Sequence, residues 1–358
     1  MQIKKTYKIL TVLLVMQWAF VQLIGQYPSF IETYYANGLY PIISNMLQFA
    51  FSWLPFSFGD LLYSLLIFII IKKTYSLIKN KKIEFKTLFF KIGAYISVLF
   101  FMFHFNWGLN YFRQPVYKNL NFEVKPYSIN ELTSFTEKLI KIVNQTQVSI
   151  TKNDTVLVEN PLTKEEIRHN SYEVYNQLKL KFPQFKYSKL RIKNSLFSTP
   201  LTYMGFGGYL NPFTNETQAN ILIPKNSYTA TVCHELAHQI GIAPESEANF
   251  VGYLAATNSN DNFFKYSGYL NALRYCLSEI YYKDLVTFEL LKAKINTGVL
   301  KDIQQSQDFW ESYQNWSEKY FKTFYDSFLK ANQQKDGIKS YNKMLVLLIN
   351  YYKTVDFQ

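Results

Sequence analysis

The sequence predicts an α+β chain, mostly helical, in which N-terminal transmembrane helices precede a globular domain with one small sheet. Three observations predict it. The first third of the 358 residues holds three long apolar runs. Two capping boxes then open amphipathic helices, at Ser128–Glu131 and Thr163–Glu166. Finally, the stretch from about Lys189 to Ile223 changes to short alternating segments broken by Gly205, Gly207, Gly208 and Pro212, before helical periodicity resumes after Pro224.

The apolar runs set the domain organisation: residues 1–112 form a membrane anchor with helices at about 9–26, 54–71 and 88–107, and 113–358 form the second domain. Lys4, Lys5 and Lys8 before the first run resemble the start of a signal peptide. Its exit, Gly25-Gln26-Tyr27-Pro28, offers no small-x-small cleavage site, so an uncleaved anchor is expected. Pro41 to Trp53 is also apolar and would either lie along the interface or lengthen the second span. Asp60, within the second run, is expected to cap a helix near the interface.

Charge decides orientation. The chain carries 38 Lys+Arg against 26 Asp+Glu, a net +12. Residues 1–115 hold 11 of the basic and 3 of the acidic residues, a net +8, and the remaining residues are nearly balanced at +4. Residues 25–53 contain no Lys or Arg, whereas Lys72 to Lys86 holds six lysines. The positive-inside rule therefore predicts a cytoplasmic N-terminus and lysine loop, with the large C-terminal domain outside. The near-neutral domain argues against nucleic acid as a partner, and three spans without paired intramembrane charges argue against a transporter. Two cysteines exclude a disulfide-dense scaffold and a C-x-x-C zinc site. A Cys233–Cys276 bridge is permitted outside the cytoplasm, but Cys233 is expected to be a small buried residue.

In the second domain, Leu132, Phe135, Leu139 and Ile142 follow the first capping box, and Ile167, Val174 and Leu178 follow the second, at helical spacing. Leu190–Ile192, Tyr203–Leu210 and Gln218–Leu222 read as strands. Thr231 to Phe250 then reads T-V-C-H-E-L-A-H-Q-I-G-I-A-P-E-S-E-A-N-F. His234 and His238, four apart, lie one turn apart on one face of a helix, where two neutral imidazoles bind one zinc ion. Glu235 is placed to act on a metal-bound water. Asn226-Ser227 is the expected cap of this helix and Gly241 its stop; Pro244 would open a second helix bearing two carboxylates, Glu245 and Glu247, where a third ligand is needed. His104, in the third run, and His169, on a distant helix, read as structural.

H-E-L-A-H followed by E-S-E-A-N-F is similar to gluzincin-type zinc peptidases, whose second motif has the form E-x-x-[A/S]-[D/N]; Glu245, Ala248 and Asn249 match it. The E-x-E-A-N-F run also resembles the second motif of ImmA/IrrE-type peptidases. With its three spans, the N-W-G-L-N-Y run from Asn106 to Tyr111 and the G-Y-L-N-P-F-T run from Gly208 to Thr214, the whole chain resembles an uncharacterised bacterial family of membrane-anchored zinc peptidases. The resemblance implies a gluzincin-like domain at the cytoplasmic (inner) membrane. It makes His234, His238 and Glu245 ligands of one zinc ion, Glu235 the general base, and Asn249 a partner of a ligand histidine. Glu245 lies only seven residues past His238, much closer than gluzincin third ligands usually lie, so Glu247 remains the alternative. The metzincin pattern, which Gly241 also matches, fails because Pro244 stands where it needs a ligand.

The expected function is zinc-dependent hydrolysis of a peptide or protein substrate, in a chain whose other partner is the lipid bilayer. An edge at Met204–Leu210 or Gln218–Leu222 would pair with an extended peptide, the alternative being a closed structural hairpin. Arg274, Tyr203, Tyr266 and Tyr269 are candidates for stabilising the developing oxyanion. The competing reading is a non-catalytic membrane-anchored sensor or scaffold that retains a metal-stabilised fold.

Overall fold

A computed structural model of the chain describes residues 4–80, 84–337 and 343–357. The helices of one turn or more that carry the argument are α1 (Lys5–Ile24), α2 (Tyr40–Phe51), α3 (Phe58–Asn80) and α4 (Phe85–Asn106), then α5 (Ile129–Thr151), α6 (Lys164–Lys181) and α7 (Ser198–Met204). They continue with α8 (Lys225–Gln239), α9 (Glu245–Thr257), α10 (Asn262–Lys283), α11 (Leu285–Lys292), α12 (Thr297–Ser312), α13 (Glu318–Ala331) and α14 (Met344–Tyr351). The strands are β1 (Ile192–Asn194), β2 (Gly208–Asn211) and β3 (Glu216–Ala219). The chain is thus mostly helical with one small sheet. It divides into two compact units, Met1–Gln114 with Asn211–Glu216, and Pro115–Leu210 with Thr217–Gln358.

In the first unit, α1, α3 and α4 are long and apolar enough to cross a membrane, over 20, 22 and 22 residues. At a rise of about 1.5 Å per residue each reaches the ~30 Å of a hydrocarbon core. The apolar side chains of α3, among them Leu65, Phe68, Ile70 and Ile71, are left uncovered, as lipid-facing side chains are. Along α1 and α4 the helices meet at small residues: Gly93 lies against Thr11, whose hydroxyl donates to Phe90 O at 3.0 Å. The second span starts later than its expected 54–71. The chain turns at residues 52–57, where Pro55 cannot continue a helix, and the apolar stretch before it becomes the separate helix α2. No breaker follows Ile71, so Lys72, Lys73 and Lys79 lie on α3 and Lys86 on α4, where a loop was expected. Lys81 and Lys82 lie outside the described residues.

The start of α3 is held by polar groups within this unit. Ser57 Oγ accepts from Asp60 N at 3.0 Å, so Ser57 is the cap that Asp60 was expected to be, while Asp60 sits fully buried in the first turn. The carboxylate of Glu216 accepts from the backbone of Phe58 at 3.1 Å and of Gly59 at 2.6 Å. These are N–H groups that no helix can satisfy internally, and a carboxylate also suits the positive end of the helix dipole. Asn215 accepts from Ser44 Oγ at 2.8 Å and donates to Tyr40 Oη at 3.0 Å. Arg113 reaches both oxygens of Glu32, at 2.8 and 2.6 Å.

In the second unit both capping boxes close, and α5 and α6 turn Leu132, Phe135, Leu139, Ile167, Val174 and Leu178 inward. Helix α9 is buried on nearly every side: of residues 245–257 only Ser246 is more than marginally accessible. Helices α8 and α10 pack on it, so the H-E-L-A-H helix runs through the centre of the core. Cys233 and Cys276 are buried and free, without a bridge.

The sheet order is β1-β3-β2, with β1 parallel to β3 and Ile192, Lys193 and Asn194 opposite Thr217, Gln218 and Ala219. All three expected strands are placed differently: in place of Gln218–Leu222, β3 spans Glu216–Ala219, and residues 220–222 turn toward Pro224. Tyr203 and Met204 end helix α7, which Gly205 stops at φ +80°, and the strand begins only at Gly208. Arg191 precedes β1 because its backbone is paired by a side chain: its N–H donates to Gln239 Oε1 at 2.8 Å and its carbonyl accepts from Gln239 Nε2 at 3.0 Å.

Replacing Glu216 with Ala strands the amides of Phe58 and Gly59 and should cost about 2–3 kcal/mol, lowering the thermal midpoint of the detergent-solubilised protein. Glu216→Gln should recover part of the loss, and an unchanged midpoint for Glu216→Ala would show that the clamp contributes nothing.

Candidate metal centre

Helix α8 carries His234, Glu235 and His238, and it stops where the sequence says it should. Gly241, at φ +88°, takes the left-handed conformation, and Ile242 N returns to Ala237 O at 3.1 Å. The helix starts one residue earlier than the expected cap, with Pro224 in the cap position. Asn226 is free to turn inward, donating to Val158 O at 3.1 Å and Asp302 Oδ1 at 3.0 Å. The tight reversal also delivers Ile242 O to His238 Nδ1 at 2.7 Å. Because a carbonyl oxygen only accepts, this bond fixes a proton on Nδ1 and turns Nε2 toward His234 and Glu245.

Pro244 occupies the cap position of α9, so Glu245 is its first residue. Three ligand atoms converge: His234 Nε2 lies 3.1 Å from His238 Nε2 and 3.1 Å from Glu245 Oε2, and His238 Nε2 lies 3.4 Å from Glu245 Oε2. His234, His238 and Glu245 thus form a buried group that could hold a metal ion. Four ligands at about 2.0–2.1 Å around a tetrahedral zinc ion stand roughly 3.3–3.4 Å apart. The separations of 3.1, 3.1 and 3.4 Å are close to that spacing, and two imidazoles with one carboxylate are a donor set that could hold a divalent ion.

Glu247 goes elsewhere: its Oε1 accepts from Val116 N at 3.1 Å. Asn249, which the resemblance makes a partner of a ligand histidine, donates from Nδ2 to Tyr275 Oη at 3.3 Å. His104 bonds the Phe100 carbonyl on its own helix, and His169 packs beside Tyr172. Of the oxyanion candidates, Tyr266 donates to Asp302 at 2.5 Å, Tyr203 packs on Tyr313 and Tyr269 on Tyr253, while Arg274 lines a separate small cavity with Ser227 and Gln305.

Several residues that hold the site carried no local signal. Tyr325, on α13, donates to Glu245 Oε1 at 2.7 Å and leaves Oε2 to the histidines. Gln334 Oε1 accepts from the Glu245 backbone at 3.1 Å. Gly252, two turns after Glu245, faces α8 so closely that a Cβ would stand 2.9 Å from His234 N and 3.0 Å from its Cα. Gly208 brings the backbone of β2 against Glu235, since a Cβ there would meet Glu235 Oε1 at 2.7 Å.

The electrostatics follow from burial. Desolvation pushes the Glu235 carboxyl up to about 7, against the pull of His234 and His238, and its Oε2 is buried without a hydrogen-bond partner. For His238 burial opposes the charged form, but the charge and hydrogen bond of Glu245 outweigh it and raise the pKa to about 9. Burial would likewise raise Glu245, yet His238 and His234 hold it well below the usual carboxylate range.

With this geometry in place, the chain matches, over residues 35–349, the family described as "Protein of unknown function (DUF3810)". It belongs to that family. No curated protein and no solved structure matches it.

Gly252→Ala should force α8 and α9 apart at the His234 backbone and pull Glu245 out of the triangle. Elemental analysis of the purified protein should then show a loss of bound divalent metal of at least tenfold, while Tyr325→Phe, which removes one hydrogen bond, should reduce it less.

Proposed function

We propose that the chain is a membrane-anchored zinc metallopeptidase in which His234, His238 and Glu245 hold one zinc ion and Glu235 is the general base. The observation that carries this reading is the metal-sized triangle of ligand atoms beside a buried carboxyl whose Oε2 has no partner. A zinc ion held there supplies a Lewis acid for the scissile carbonyl and lowers the pKa of water bound to it. Glu235, with a pKa near neutrality, takes the proton of the attacking water and returns it to the leaving amine. Tyr325 keeps one carboxylate oxygen of Glu245 occupied and so orients the other.

The edge position of β2 supports backbone recognition. An extended peptide paired along Gly208–Leu210 would lie on the strand that Glu235 packs against, since Gly208 lets the Glu235 side chain approach its backbone. The same reading places the N-terminus in the cytoplasm and the catalytic domain outside, from the lysine distribution. Substrates near the membrane surface follow from the short connection after α4.

The test compares wild type, Glu235→Gln and Glu245→Ala for zinc content and for cleavage of a peptide library. Wild type and Glu235→Gln should each hold one zinc per chain, with cleavage by Glu235→Gln down roughly 10²–10⁴-fold, and Glu245→Ala should lose the metal. Undiminished cleavage by Glu235→Gln, or a wild type without stoichiometric zinc, would sink the proposal. Stoichiometric zinc with no cleavage would favour a metal-stabilised scaffold. Because Glu235 must be ionised to accept a proton and burial raises its pKa, kcat/KM should climb with pH to a plateau. The midpoint should fall at or below about 7, since a bound cation favours the carboxylate.

A further inference from the structure

Helix α13 has two faces that do different work. The inward face carries Leu329, fully buried, and Tyr325, bonded to Glu245. On the opposite side Tyr320 and Phe324, one turn apart, are 60% and 73% exposed, and Trp316 in the preceding turn is 80% exposed. The Trp316 and Tyr320 rings pack edge to face with centroids 6.2 Å apart, so the stripe is continuous. Lys319 rims it, with Nζ 5.0 Å from the centre of the Tyr320 ring, and Lys322 and Lys330 pair with Glu318 and Asp326 on the same helix.

We propose that this aromatic face of α13 rests in the headgroup layer of a phospholipid bilayer. Trp and Tyr with a lysine rim are the side chains that favour that layer, their rings in the apolar boundary and their polar groups in water. The chain's own helices α1, α3 and α4 are of membrane-spanning length and composition, and the unit containing α13 begins at Pro115, nine residues after α4 ends at Asn106. A bilayer crossed by those helices would thus be joined to this unit by only a short connection. A second copy of the chain is the poorer fit, because the exposed aromatic area is roughly 400–600 Å², short of the ~800 Å² per partner of a stable interface. A bilayer sets no such threshold, since each ring contributes independently. The inference stands apart from catalysis, but it would put the helix that steadies Glu245 in contact with lipid.

The test uses the full-length protein in phosphatidylcholine–phosphatidylglycerol vesicles, with a nitroxide attached at Tyr320→Cys or Phe324→Cys. The native cysteines are buried, so labelling selects the introduced one, and both positions are exposed enough to leave the core intact. Gln304→Cys on α12 is the aqueous reference, and Val286→Cys samples the other exposed apolar run, on α11. Labels at 320 and 324 should show a ratio of oxygen to aqueous nickel-chelate collision severalfold higher than at 304. Chelate access equal to that at 304 would overturn the proposal. So would dipolar broadening between labels, which would indicate a second copy, or lipid contact at 286 without contact at 324.

Discussion

The site depends on one steric constraint: helices α8 and α9 cross with backbone nearly touching backbone. Gly252 lies where any side chain would strike the His234 main chain, and Ala248 and Ala255, on the same side of α9, are small and fully buried. At that separation the first turn of α9 comes within a single carboxylate's length of two imidazoles presented by α8. The reversal at Gly241 to Pro244 sets the register. One residue more or fewer in the link would rotate Glu245 by about 100° around its helix and away from the histidines.

Burying this much charge in a core is costly unless every group is answered. Much of the answer comes from backbone and neutral side chains. The Ile242 carbonyl accepts from His238 Nδ1, Tyr325 donates to one Glu245 oxygen, and Val116 N donates to one oxygen of Glu247. Both acids also stand in the first turn of α9, where a helix favours negative charge. Glu235 Oε2 is buried without a hydrogen-bond partner among the described residues.

How much of this the sequence discloses depends on distance along the chain. The histidine pair, the Gly241 stop and both capping boxes are written within a few residues, and the structure realises each of them locally. Glu245 and Glu247 are two apart on one helix, and only the crossing separates them, one toward the histidines and one toward Val116. Tyr325, 80 residues beyond Glu245, and Gln239, which pairs with the Arg191 backbone, leave no periodic trace because a single long-range hydrogen bond needs none. The stretch near Tyr203 reads as strand from its aromatic residues and the glycines that punctuate it, but its start is captured as the end of α7. The small residues of α9 were the available clue to the close crossing: Ala248, Gly252 and Ala255 recur at helical spacing.

The turn between β2 and β3 belongs to one compact unit while the bodies of its strands belong to the other. Asn215 and Glu216 find their partners on Ser44, Tyr40, Phe58 and Gly59, all in the N-terminal part of the chain. The hairpin tip is thus held by residues of the first unit, which include Tyr40, Ser44, Phe58 and Gly59. A fragment cut at Pro115 would carry a hairpin whose tip had been selected for surroundings it no longer has.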